Sequence, residues 1–391
     1  MDVSGVILYF QGLIASSLVV INLMLGGFSL LVDEYFDDLS FTESVATQST
    51  PVATSSTTQR IATSSASATT TATTTKKTVV KKAVSPVQAS TTVASLPKTP
   101  LAPLLSAEQV NTNTRASLVN ILCTAQGGGV VRSISGSGII IDSRGVVLTN
   151  AHIAQYLLLR DYPFKNAVDC VIRTGNPAGA QYRAQLLYLP PAWIDENASQ
   201  ITAEHGLGTG ENDYAFLLIN ETTNPQATLP VSFTNIAMTA ATPDTGEQVL
   251  VAGYPAGFLD AINIEKNLYM TSAFTLIGKL YTFNDPAQVD VVSLGGTVVS
   301  QGGSSGGAVV RTYDGKLTGL IATATSGTTT ADRDLRAITI GYINRSLAAQ
   351  GEGGIAEFFS RNISQEASDF ANTTFITEKK KLVDALSAAG R

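Results

Sequence analysis

The sequence predicts an all-β folded region built as two six-stranded antiparallel barrels. Two observations point there. Gly, Thr, Ser and Val are abundant, and only 14% of residues are charged. From Leu118 onward, short apolar runs alternate with Gly- or Pro-containing turns and show no internal repeat. Short strands at such spacing favour barrels or sandwiches over helical or α/β folds.

The first six runs are Leu118–Cys123, Gly136–Asp142, Gly145–Asn150, Val168–Ile172, Tyr182–Tyr188 and Ala215–Ile219. The second and third read as a hairpin across a short turn. The second set is Val249–Ala252, Tyr269–Lys279, Val289–Leu294, Ala308–Arg311, Leu317–Ala324 and Ala337–Tyr342. After Asn344 the period changes. Ile355, Phe358, Phe359 and Ile363, then Leu382, Val383 and Leu386, fall at helical spacing, which predicts short helices packed on the barrels.

Four segments follow from this reading: 1–40, 41–106, 107–350 and a helical tail at 351–391. From Val3 to Val32 there is no charged residue, a run long enough to cross a bilayer as a helix. It exceeds a signal-peptide h-region and lacks a positive n-region, so a retained anchor is favoured over a cleaved signal. No Lys or Arg lies near either end to set its orientation. Residues 41–106 are Ser, Thr, Ala, Val and Pro with few large apolar side chains, and predict a disordered stalk. Lys76, Lys77, Lys81 and Lys82 read as solvated charge within it. An anchor followed by a stalk places the folded region outside the cytoplasm, tethered to the cell membrane, or secreted if the first segment is cleaved.

A formal charge of −6 argues against a nucleic-acid partner. No metal-ligand cluster is evident. Gly127-Gly128-Gly129 is not followed by the Gly-Lys-Ser/Thr end of a phosphate loop, so no cofactor is implied.

Three motifs carry chemistry. Gly303-Ser304-Ser305-Gly306-Gly307 is a turn able to present a serine hydroxyl. Such a hydroxyl needs a neighbouring base to become a nucleophile. His152 follows the apolar run that ends Leu148-Thr149-Asn150, and imidazole both accepts and returns a proton near neutrality. Asp213 precedes Tyr214-Ala215-Phe216-Leu217-Leu218 and would hold the other ring nitrogen. The chain's other histidine, His205, lies in a loop-like stretch with no strand before it. Asp195 has no apolar strand after it. His152 and Asp213 are therefore preferred to both.

In the order His, Asp, Ser, these motifs resemble the chymotrypsin-like serine proteases, and within them the bacterial trypsin-like peptidases related to HtrA, over roughly Ser117 to Asn344. The resemblance implies a chymotrypsin-like fold and a serine endopeptidase acting on polypeptides. It implies backbone N–H groups of Gly303 and Ser305 as the oxyanion hole. It places Val299, Ser300, Ala322, Thr323 and Ala324 around the primary substrate pocket; none is charged, so small or medium apolar residues are expected there and basic ones are not. Ser304 stands where digestive relatives carry an aspartate, so activation by a freed N-terminus is not implied. HtrA-type relatives carry a PDZ domain after the barrels, and the tail here is too short for one. Cys123 and Cys170 fall in strands of the first barrel; a disulfide and two buried thiols both fit. The alternative function is a catalytically silent protease-like module that binds peptides or cell-wall material.

Overall fold

The computed structural model describes residues 103–126, 131–202 and 209–390. The expected span Val3–Val32, the stalk through residue 102, the glycine run at 127–129 and His205 lie outside these residues. Among the described residues no helix is long and apolar enough to cross a membrane.

Ordered structure begins earlier than Ala107. The Leu104 N–H bonds the Tyr313 carbonyl, and Leu105 packs on the core. Helix α1, Ala107–Ser117, starts at a capping box: Ser106 Oγ accepts from the Gln109 N–H, and the Gln109 side chain accepts from the Ser106 N–H. The Ser-x-x-Gln signature was present in the sequence, but the helix was not among the expected elements.

The first barrel is closed, as expected. Its strands are β1 Leu118–Ala125, β2 Ile134–Asp142, β3 Val146–Thr149, β4 Val168–Thr174, β5 Gly179–Tyr188 and β6 Ala215–Thr222. They pair in the order β1-β2-β3-β6-β5-β4, returning to β1. Val119, Ile121, Val147, Ile172, Leu186 and Leu217 fill its interior. Cys123 faces Cys170 across β1 and β4, and the two form a disulfide. The bridge closes a loop with a sequence separation of 47. In the chain-entropy account, such a cross-link contributes up to about 4 kcal/mol. A Cys123→Ala, Cys170→Ala double variant is therefore expected to unfold at lower urea, with a slope no smaller than the wild type's because its unfolded chain is less constrained; an unmoved midpoint would show that the bridge adds nothing to stability.

The second set of strands departs from the expected closed barrel of six. β7 Gln248–Gly253, β8 Thr271–Leu276, β9 Leu280–Tyr281, β10 Val291–Ser293, β11 Ala308–Arg311, β12 Leu317–Ala324 and β13 Leu335–Thr339 make one seven-stranded sheet, ordered β8-β7-β11-β12-β13-β10-β9. The edge strand β8 occupies the middle of the segment expected as the single strand Tyr269–Lys279, and the other edge strand, β9, begins just beyond it at Leu280. The chain changes partners between them. Ile277 donates to Glu247 next to β7, whereas Gly278 donates to Ser293 of β10 and Ser293 donates to Lys279. One strand cannot keep both ladders, so it breaks at this corner.

The run expected as strand Ala337–Tyr342 also ends early. Thr339 Oγ1 accepts the Tyr342 N–H and caps helix α5, Ile340–Ala349. Between β3 and β13 the chain adds α2 Ala151–Ala154, α3 Pro191–Asn197 and α4 Ala261–Lys266; after α5 come α6 Ile355–Ser360, α7 Ile363–Asn372 and α8 Thr374–Ala389. The helical spacing of the tail is realised. Phe358 and Ile363 join the core that runs between the barrel and the sheet, while Leu382 and Leu386 join the barrel core.

Candidate active site

The register of β3 and β6 sets the first contact. Thr149 pairs with Ala215, so His152 lies three residues beyond one strand end and Asp213 two residues before its partner. Both side chains emerge at the same end of an antiparallel pair. His152 Nδ1 lies 2.8 Å from Asp213 Oδ2, and Asp213 Oδ1 accepts the His152 backbone N–H at 3.0 Å. Asp213 is 3% exposed. Its turn is held from two sides. Asn150 Nδ2 donates to the Asp213 carbonyl. Asn212, in the left-handed region at φ 57°, accepts from Ser346 Oγ and Tyr342 Oη of α5, and its own N–H donates to Tyr342 Oη. Burial pushes the Tyr342 hydroxyl well above its ordinary range, so it stays protonated as a donor.

The serine turn is tied to that strand end through Ser137 of β2. The Ser137 N–H donates to the Ser305 carbonyl at 2.7 Å, and Thr149 Oγ1 donates to the Ser137 carbonyl at 2.7 Å. Ser137 Oγ donates to the Gly303 carbonyl and accepts the Tyr254 N–H, each at 2.8 Å. Gly306 has φ +84°, and a Cβ there would strike the Ser137 carbonyl and come within 2.6 Å of Thr149 Oγ1. Only glycine fits both the backbone and the space.

Two peptide planes in the turn are fixed by their carbonyls. Ala256 N–H donates to the Gly302 carbonyl at 2.7 Å, and Gly307 N–H to the Ser304 carbonyl at 2.9 Å. A trans peptide directs its N–H opposite its C=O. The N–H groups of Gly303 and Ser305 therefore point away from those bonds, and neither serves as a donor in the turn's backbone hydrogen bonds. Preorganised donors of this kind suit a developing oxyanion. Ser304 is fully buried and its hydroxyl has no partner in the protein.

Residues 136–320 match the family model described as the trypsin-like peptidase domain. The chain carries a trypsin-like peptidase domain. Such a domain is that of a serine endopeptidase. Among solved structures, this peptidase is similar to the active form of the Rv3671c protease from M. tuberculosis, at 20% identity over 66% of this chain and 95% of that one, with a TM-score of 0.37. It is also similar to the serine endoprotease from Yersinia pestis, at 18% identity over 65% of this chain and 68% of that one, with a TM-score of 0.39. At those scores the likenesses add nothing to the sheet topology. No curated protein matches the chain.

The five residues expected around the substrate pocket differ in burial. Val299 is fully buried with Val251, Ile321 and Leu335 inside the second sheet. Ser300 is also fully buried, and its Oγ accepts the Thr297 N–H. Ala322 packs in the core between barrel and sheet, Thr323 is half-buried and Ala324 is exposed. Two aspartates near the peptidase's pocket segments are already occupied. Asp332 accepts from Thr328 and Thr329, whose hydroxyls hold its carboxyl below the usual carboxylate range. Asp334 accepts from Ser293 and Gly295 and pairs with Arg336. The sequence reading missed Ser137, Thr149 and Asn150, which brace the site. For Ser137 the signal is its register across β1 and β2, which local sequence does not carry.

Proposed function

We propose that this peptidase is a membrane-tethered endopeptidase working outside the cytoplasm, cutting polypeptides through Ser305, His152 and Asp213. The observation that carries the reading is the double engagement of Asp213 with His152, through the ring nitrogen at 2.8 Å and the backbone N–H at 3.0 Å. That grip selects the tautomer with a proton on Nδ1 and leaves Nε2 as the base. His152 takes the Ser305 proton as Oγ attacks the substrate carbonyl. The oxyanion accepts from the N–H groups of Gly303 and Ser305. His152 then returns the proton to the leaving amine, and water cleaves the acyl-enzyme by the same route. No step calls for a cofactor.

An apolar run at Val3–Val32 followed by a Ser/Thr-rich stretch supports the tether. The Cys123–Cys170 bridge supports an oxidising compartment. A digest of a labelled peptide library by the purified full chain tests the activity: discrete internal cleavages are expected, and binding without cleavage would favour the silent module instead. Deleting residues 1–40 is expected to leave a soluble enzyme of unchanged kcat, because the folded region has its own cores. An insoluble or inactive product would place part of the fold inside that segment.

A further inference from the structure

Arg333 lies in the irregular segment between β12 and β13, flanked in sequence by Asp332 and Asp334. Neither carboxylate pairs with it, since both are engaged elsewhere. Its Nε–H donates to the Gly327 carbonyl at 3.1 Å, and Nη1 donates to the Ser300 carbonyl at 3.3 Å. The guanidinium also lies 5.7 Å from the centroid of the Phe258 ring. A guanidinium has five N–H donors. Three remain after these two bonds, in a planar fork suited to a carboxylate.

Both neighbouring segments adjoin the serine turn. Ser300 lies five residues before Ser305, and the Gln301 carbonyl accepts the Ser304 N–H. Gly257, next to Phe258, approaches so closely that a Cβ there would lie 3.1 Å from the Gly302 nitrogen. The cation is thus held on the Ser300 carbonyl, two residues before Gly302 in the chain that leads into the serine turn, and its ring neighbour Phe258 follows the glycine that packs on Gly302. A partly buried cation with spare donors favours an anion and repels a cation.

We infer that Arg333 is a specificity-determining residue, directing the enzyme to substrates with an acidic side chain, Glu or Asp, at the residue whose carbonyl is attacked. This rests on the reading of Ser305 as nucleophile. It replaces the apolar preference expected from an uncharged pocket, because the charged group enters from a segment outside the five pocket residues.

The test uses the full chain and four peptides differing only at that residue: Glu, Gln, Val and Lys. Fluorophosphonate titration counts active sites in parallel. The expected kcat/KM for Glu exceeds that for Gln by about 10–100-fold, the range of a charge-assisted hydrogen bond. Arg333→Gln is expected to close that gap while titration stays full, and Arg333→Glu to move the preference to Lys. Faster cleavage of the Val peptide by the titratable wild-type enzyme overturns the inference alone. So does an equal slowing of all four peptides in Arg333→Gln, which would make Arg333 a loop staple. Absence of labelling in the wild-type protein overturns the nucleophile reading and this inference with it.

Discussion

Ser305→Ala is expected to lower kcat for peptide hydrolysis by about 10⁴–10⁶-fold, the range found when the nucleophile of such a set is removed. The loss should be confined to chemistry. Ser305 is held in its turn through its carbonyl, by the Ser137 N–H, and not through its hydroxyl. Gly303 and Gly306 set the backbone through positive φ angles of 89° and 84°. Alanine keeps every one of these bonds, so the variant should melt with the wild-type protein and still bind peptide. Steady-state rates beside a thermal melt check both halves. A variant that retains more than a few per cent of the rate would remove Ser305 from the mechanism.

Asp213→Asn carries the next largest expectation, a fall in kcat of about 10⁴-fold with the fold intact. The reasoning is specific to this geometry. One carboxylate oxygen accepts the His152 backbone N–H and the other faces Nδ1. An asparagine must spend its single oxygen on the backbone N–H. Its amino group then faces Nδ1 and forces that nitrogen to accept. The ring proton moves to Nε2, which can no longer take a proton from Ser305. Asp213→Glu should also fail, since the longer arm cannot meet both His152 donors in a site that is 3% exposed. Rates for the two variants, with circular dichroism as the fold check, distinguish this account from simple loss of charge. The Ser305 and Asp213 effects will not add, because the groups act as one unit.

Much of the fold was legible because strands carry their own signals. The apolar runs of β1, β2, β3 and β6 and the Gly145 turn are local features, and the closed barrel follows from them. His152 and Asp213 were legible as strand-end residues, and the Thr149–Ala215 register accounts for their meeting. The break between β8 and β9 was not legible, because it depends on a change of hydrogen-bond partner from Glu247 to Ser293, not on any feature of Tyr269–Lys279. Thr339 could be read as a strand residue or a helix cap, and only its bond to the Tyr342 N–H decides. The bracing of the site was hidden for the same reason. Ser137 joins the end of β3 to Tyr254, just after β7, and to Gly303 of the serine turn, which lie 117 and 166 residues from it in sequence. Arg333 sits in a Thr-rich segment with no motif, so its place on the Ser300 carbonyl appears only after folding.

The central claim is that Ser305 is a nucleophile activated by His152. Reaction of the folded full chain with a fluorophosphonate, followed by peptide mapping, tests it most directly. The account predicts a single adduct on Ser305, lost in His152→Ala and absent from the urea-unfolded chain. An adduct on any other serine, or none on the folded protein, would contradict it.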